Sequence, residues 1–100
     1  MSITRNKRIT TVTATYTILS SDQFVLADTS SGGFTVTLPS AVGLKGQEFW
    51  VLSSGTGTNN LTDEGAGSET INGALNVVIN AQYEVVHVIS DNANWLELAD

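Results

Sequence analysis

The sequence predicts an all-β fold, a compact antiparallel β-sandwich or barrel of the jelly-roll or β-prism kind with about eight short strands. Segments in which apolar and polar side chains alternate recur along the chain, and clusters of Gly, Asn, Asp or Ser separate them. Threonine and valine, which favour strands, are frequent in these segments. Apolar residues show no sustained helical spacing. With 100 residues, one proline and no cysteine, the chain is expected to form a single domain without disulfides.

The first half of the chain contains four predicted strands. Residues 9–18 alternate threonine with larger apolar side chains, which indicates a strand with one wet face. Residues 24–28 and 34–38 flank a Ser/Gly turn, and this arrangement predicts a β-hairpin. Residues 48–53, EFWVLS, are apolar on both faces, which is typical of a strand that is covered on both sides.

The second half begins with a long polar stretch. Residues 54–69 are rich in Ser, Gly, Thr, Asn and acids, which predicts a surface loop. The Asn72-Gly73 pair then predicts a tight turn between strands. Three further strands are expected at 75–80, where Leu75, Val77 and Ile79 face the core, at 83–90, YEVVHVIS, and at 94–99, which carries Trp95.

The two strands that are apolar on both faces suggest an interface between subunits. We expect their second faces to be buried between copies of the chain, and the predicted interface residues are Trp50, Leu52, Val86, Val88 and His87. His87 is the only histidine and has apolar neighbours, so we interpret it as a packed or interface residue rather than a catalytic one. At an interface its protonation would bury a charge, which predicts weaker assembly in acid.

Charge is distributed unevenly along the chain. Arg5, Lys7 and Arg8 give the first eight residues a charge of +3, whereas Lys45 and ten carboxylates give the remainder −9, for a net charge of −6. We therefore divide the chain into a basic N-terminal arm, residues 1–8, and one all-β domain, residues 9–100. The arm is either a solvated terminus or a contact for an acidic partner surface. The acidic body argues against nucleic acid as a partner.

Other sequence signals argue against membranes, cofactors and catalysis. The N-terminus lacks the apolar segment of a secretory signal or a membrane span, so we expect synthesis in the cytoplasm. Asp63, Glu64 and Glu69 form an oxygen-rich stretch, but their spacing does not match a calcium loop and solvated acids are expected. With one histidine and no glycine-rich phosphate loop before a helix, the sequence predicts no enzyme, no metal and no cofactor.

Three motifs, DTSSGGFTVTLP, ETING and SDNANW, resemble a small β-module of bacteriophage virion proteins. The similarity extends over residues 14–98, and this module recurs in head-decoration, tail-fibre and tailspike proteins. The resemblance implies a non-enzymatic structural subunit that is trimeric or otherwise oligomeric. We expect a capsid decoration protein of the virion, which binds the outer shell, and thus the major capsid protein, as a small oligomer, with a homotrimer favoured.

The alternative is a receptor-binding module of a tail fibre or tailspike. Such a module would bind a host glycan through the loop at residues 54–69 and an exposed tryptophan, because an indole can stack on a sugar ring. Trp50 and Trp95 lie on predicted strands among other apolar residues, so burial is the favoured interpretation for both.

Overall fold

A computed structural model describes residues 8–56 and 59–98, and this part of the chain is all-β. It has nine strands: β1 (Ile9–Val12), β2 (Tyr16–Thr17), β3 (Phe24–Ala27), β4 (Phe34–Thr37), β5 (Glu48–Ser53), β6 (Leu61–Glu64), β7 (Asn76–Ile79), β8 (Val85–Ser90) and β9 (Trp95–Glu97). Within these ranges no helix is long and apolar enough to cross a membrane.

The strands form two mixed sheets. The five-stranded sheet has the order β1-β3-β5-β8-β9, and the four-stranded sheet has the order β2-β4-β6-β7. Strands β1 to β6 alternate between the two sheets, and those that are neighbours within a sheet run parallel. The chain therefore winds through three turns that stack on one another. Strands β7, β8 and β9 then run antiparallel to β6, β5 and β8.

This topology corrects three expectations from the sequence. The sheets are not antiparallel throughout, and they do not close into a barrel, because each sheet ends in two edge strands. The hairpin prediction is wrong, since β3 pairs with β1 and β5 while β4 pairs with β2 and β6. The Ser/Gly turn between β3 and β4 passes the chain to the other sheet. Residues 9–18 likewise form two strands, one in each sheet.

The turns of the chain have unequal lengths. Ile9 pairs with Phe24 and Phe24 pairs with Trp50, so that one turn takes 15 residues and the next takes 26. A fixed repeat in sequence requires turns of constant length. The sequence therefore shows no regular period, although the backbone repeats its path.

Both sheets contribute to one hydrophobic core. In the five-stranded sheet Phe49 packs against Trp95 with ring centroids 5.5 Å apart, and both side chains are fully buried. The other large buried side chains are Ile18, Val25, Val36, Leu38, Val51, Leu61, Ile71, Val86 and Val88. The prediction that Val86 and Val88 lie between subunits is therefore wrong. They pair with Val51 and Phe49 across β5 and β8, and paired residues point to the same side of a sheet.

Local predictions succeed where a turn or a strict alternation dictates the backbone. Strand β5 has the predicted bounds. Asn72 and Gly73 have φ values of 50° and 85° and close a tight turn between the paired residues Ile71 and Ala74. The prediction that Leu75 faces the core is wrong, because its side chain is 62% exposed just before β7 begins.

Candidate interaction surface

The five-stranded sheet has one face against the core and one face directed away from it. We call the second face the outer sheet face. Its side chains stand in three rows across the strands: Ile9, Phe24, Trp50 and His87, then Thr11, Leu26, Leu52 and Val85, then Glu48, Ile89 and Leu96. Of these side chains only Glu48 and His87 are ionisable. Ile9 is 61% exposed, Leu96 is 44% exposed and Thr11 is exposed, whereas the other side chains of the three rows are half-buried.

The four-stranded sheet has a different outward face. The corresponding positions are Thr17, Thr35, Thr37, Thr62, Glu64, Asn76 and Val78, so that face is almost entirely polar. Polar threonine faces of this kind are typical of sheets that face water. The contrast sets the outer sheet face apart and makes it the candidate interaction surface, because large exposed apolar patches are typical of interaction sites.

Two stacked aromatic side chains and a neighbouring glutamate lie together within the outer sheet face. The imidazole of His87 stacks on the indole of Trp50, with centroids 4.2 Å apart and planes inclined by 15°. His87 Nε2 lies 2.6 Å from Glu48 Oε1, within hydrogen-bond distance. The side chains of His87 and Glu48 are 19% and 39% exposed. Strand pairing brings the three together, since His87 lies opposite Trp50 and Glu48 is two residues before Trp50.

The structure brings part of the predicted interface together. Trp50, Leu52 and His87 lie on the outer sheet face, whereas Val86 and Val88 are in the core. Five further side chains of this face were not predicted: Ile9, Phe24, Leu26, Ile89 and Leu96. The alternation in FVLA, residues 24–27, and the odd-numbered positions of YEVVHVIS were the available signals.

The basic arm is described only at its last residue. Arg5 and Lys7 lie outside the described residues. Arg8 is exposed, its N–H donates to Gln23 Oε1 at 2.6 Å, and its carbonyl accepts from Phe24 N at 3.0 Å. The backbone of Arg8 is thus fixed to the start of β3.

The acidic stretch is not the solvated loop that was expected. Strand β6 lies within it, and Asp63 points into the protein, where neither carboxylate oxygen has a hydrogen-bond partner in the described part of the chain. Burial raises the pKa of Asp63 well above its ordinary value, and the charge of Glu97 raises it further. Glu64 accepts from Thr37 Oγ1 at 2.9 Å, and Glu69 accepts from Ser40 Oγ at 2.6 Å and from Ala41 N at 2.7 Å.

No other described region has the inventory of a chemical site. Residues 13–15 and 31–34 line an open depression of about 300 Å³, and none of their side chains is ionisable. Among residues 8–56 and 59–98, no group of three or more His, Asp or Glu side chains is placed to hold a metal ion. Trp95 is fully buried and donates to Pro39 O at 3.1 Å, so it cannot stack on a sugar in this conformation.

Comparison with known proteins gives no family. No protein-family model matches the chain, and no curated protein matches it. The apolar outer sheet face is therefore the main structural guide to function.

Proposed function

We propose that the chain is a non-enzymatic structural protein that self-associates through the outer sheet face. The observation that carries this proposal is the apolar face itself, with Trp50, Leu52 and Leu26 near its middle. In this arrangement the two sheets form a sandwich whose polar side remains in water, while the apolar side meets another copy. Moving a large side chain from full exposure to full burial contributes about 1.5 to 3 kcal/mol, and the half-buried side chains of this face contribute correspondingly less.

The dimensions of the face suit a stable interface. The five strands have 4, 4, 6, 6 and 3 residues, which at about 3.3 Å per residue and about 4.8 Å per strand give a face of about 360 Å² in projection. Two such faces together cover about 700 Å² in projection, and the accessible area of a rough surface is larger. Stable interfaces bury about 1,200 to 2,000 Å² in total.

The charges direct contact between copies of the chain to the outer sheet face. The chain has a net charge of −6, so two copies repel each other over most of their surfaces. The outer sheet face carries a single carboxylate, Glu48, and Arg8 lies directly before its first row. Self-association also needs only one apolar face, because two copies can join it face to face about a twofold axis, and in a trimer the same face of each copy can point towards the threefold axis.

The motifs of the sequence support a place in a bacteriophage virion. We propose a capsid decoration protein, a homotrimer that binds the outer shell, with Arg5, Lys7 and Arg8 contacting an acidic site on the major capsid protein. Binding of a host glycan by a tail-fibre module is less favoured, because one ring face of Trp50 is covered by His87 and Trp95 is buried.

Solution mass tests the self-association. Light scattering on the purified chain should give a multiple of 10.6 kDa, and three times this mass supports the trimer. Leu52→Glu places a charge within the outer sheet face and should yield a folded monomer. Thr35→Glu adds the same charge to the polar face of the other sheet and should leave the oligomer intact. A monomeric wild type, or an oligomer that survives Leu52→Glu, contradicts the proposal.

Co-sedimentation tests the capsid contact separately. The oligomer should pellet with capsids of the virus whose genome encodes it. Arg5→Gln combined with Lys7→Gln should reduce pelleting without changing the oligomer mass, whereas Lys45→Gln removes one positive charge elsewhere and serves as control. Equal pelleting of both variants and wild type would exclude the arm as the contact.

A further inference from the structure

Among the described residues of the outer sheet face, only Glu48 and His87 are ionisable. We propose that closing this face between copies of the chain takes up a proton at His87, so that self-association tightens as the pH falls from about 8 to about 6. This inference rests on the self-association proposed above and adds its regulation. It follows from the 2.6 Å contact between the imidazole and the Glu48 carboxylate.

The sign depends on the total charge of the pair. When His87 is neutral, Nε2–H donates to Glu48 and the pair carries one negative charge. When His87 is protonated, the pair is neutral in total. Burial of a net charge in an apolar interface is strongly unfavourable, while a hydrogen-bonded pair of opposite charges recovers much of the lost hydration. The carboxylate thus reverses the acid sensitivity that the sequence alone predicts for a lone interface histidine.

The other described positions of the face carry no charged side chain. On the same face, β1 and β3 carry Ile9, Thr11, Phe24 and Leu26, and β8 and β9 carry Val85, Ile89 and Leu96. Glu97 lies on β9 opposite Val88, on the core side, and Glu84 and Lys45 are exposed outside the strands. Arg8 directly precedes β1, and its charge acts on Asp22.

Two further interactions act in the same direction. A second copy brings its own Glu48 and His87, so two negative pairs repel across the interface until both histidines are protonated. The stack of His87 on Trp50 acts in the same direction when the face closes, because a cation over an indole face is stabilised more strongly once water is excluded.

The test measures the dissociation constant of self-association at about pH 8, 7 and 6 and constant ionic strength, by analytical ultracentrifugation. For every proton taken up on association, the dissociation constant changes by up to tenfold per pH unit. We expect one proton per chain. The general loss of negative charge in acid also favours association, so His87→Gln is the reference. Glutamine can still donate to Glu48 but cannot take a proton. The dissociation constant of His87→Gln should therefore depend clearly less on pH than that of wild type.

A second variant tests the sign. In Glu48→Gln, protonated His87 is left without a carboxylate, so acid should weaken association. A wild type that associates with the same pH dependence as His87→Gln overturns the proton inference and leaves self-association standing. A wild type that remains monomeric at every pH overturns both.

Discussion

The Tyr16 hydroxyl donates a 2.6 Å hydrogen bond to Asp22 Oδ2 and thereby links β2 of one sheet to the turn that leads into β3 of the other. Asp22 is 4% exposed and also accepts from Thr10 Oγ1 at 2.8 Å and from Leu19 N at 2.9 Å. Burial by itself would raise the pKa of Asp22. The hydrogen bonds from Tyr16, Leu19 and Thr10 outweigh burial and hold this pKa below its ordinary value.

Tyr16→Phe is expected to destabilise the fold. It removes one hydrogen bond from a buried carboxylate, and such bonds to charged groups contribute about 1.5 to 3 kcal/mol. Urea unfolding should show this loss in the free energy of unfolding, whereas Tyr83→Phe, at a tyrosine that is 69% exposed, should be close to wild type. Equal free energies of unfolding for the two variants would mean that the hydrogen bond from Tyr16 to Asp22 does not stabilise the fold.

The Asp22 site also predicts acid sensitivity. Because the pKa of Asp22 is lowered in the folded state, its stabilising contribution is present above about pH 4 and is lost as the pH falls through the folded value. Asp22→Asn should therefore be less stable than wild type at pH 7, and the difference should shrink below pH 4. A constant difference across this range would contradict the assignment.

Tyr16 itself responds at the other end of the pH scale. The hydrogen bond to Asp22, together with burial and the charge of Asp22, raises the pKa of Tyr16 to about 12 from 10.0. The unfolded phenol ionises first, so stability is lost as the pH rises from about 10 towards 12. Comparison of urea unfolding for wild type and Tyr16→Phe at pH 9 and pH 11 should show that the variant lacks this loss.

Strand positions could be predicted from the sequence to a greater extent than strand partners. Alternation identifies EFWVLS as β5 because it reports which side chains share a face. It does not report the neighbour, and here β3 pairs with strands that lie a whole turn of the chain away. Strand β6 was missed because LTDE has one large apolar residue and places Asp63 at an inward position.

The interface prediction was limited by the same lack of register. Trp50 and Leu52 were placed correctly on a second face of β5. Which residues of β8 share that face depends on the register, and the pairing of Trp50 with His87 puts Val86 and Val88 on the opposite side. The contact of His87 with Glu48 also depends on this register, so its effect on charge could not be foreseen.

Asp63→Asn is expected to stabilise the protein at neutral pH. The unfolded carboxyl ionises near pH 4, whereas in the folded state burial, and then the charge of Glu97, raise the pKa of Asp63 and hold the proton. Stability therefore falls as the pH rises above about 4, by up to about 1.4 kcal/mol per pH unit within the window between the two pKa values. Asparagine does not ionise and avoids this loss.

The measurement is the difference in unfolding free energy between Asp63→Asn and wild type at pH 3 and pH 7. The two proteins should be similar in acid, and the variant should be more stable at neutral pH. Glu84→Gln removes an exposed carboxylate from the same chain and should show little change at either pH. An Asp63→Asn variant that is less stable at pH 7 would mean that the ionised carboxylate has a stabilising partner.

Gly55→Ala is expected to destabilise the fold by about 1 to 3 kcal/mol, because successive turns of the chain touch at this position. Gly55 is buried after β5, and an added Cβ would lie 2.9 Å from Thr29 N and 3.0 Å from Ser30 N. These are backbone atoms, so the clash is relieved only if the segment between β3 and β4 moves. Ser54→Ala keeps the hydrogen bond from residue 54 N–H to Ala27 O and serves as the control. Thermal unfolding should separate the two variants, and a Gly55→Ala protein as stable as Ser54→Ala would show that the two turns have room to move apart.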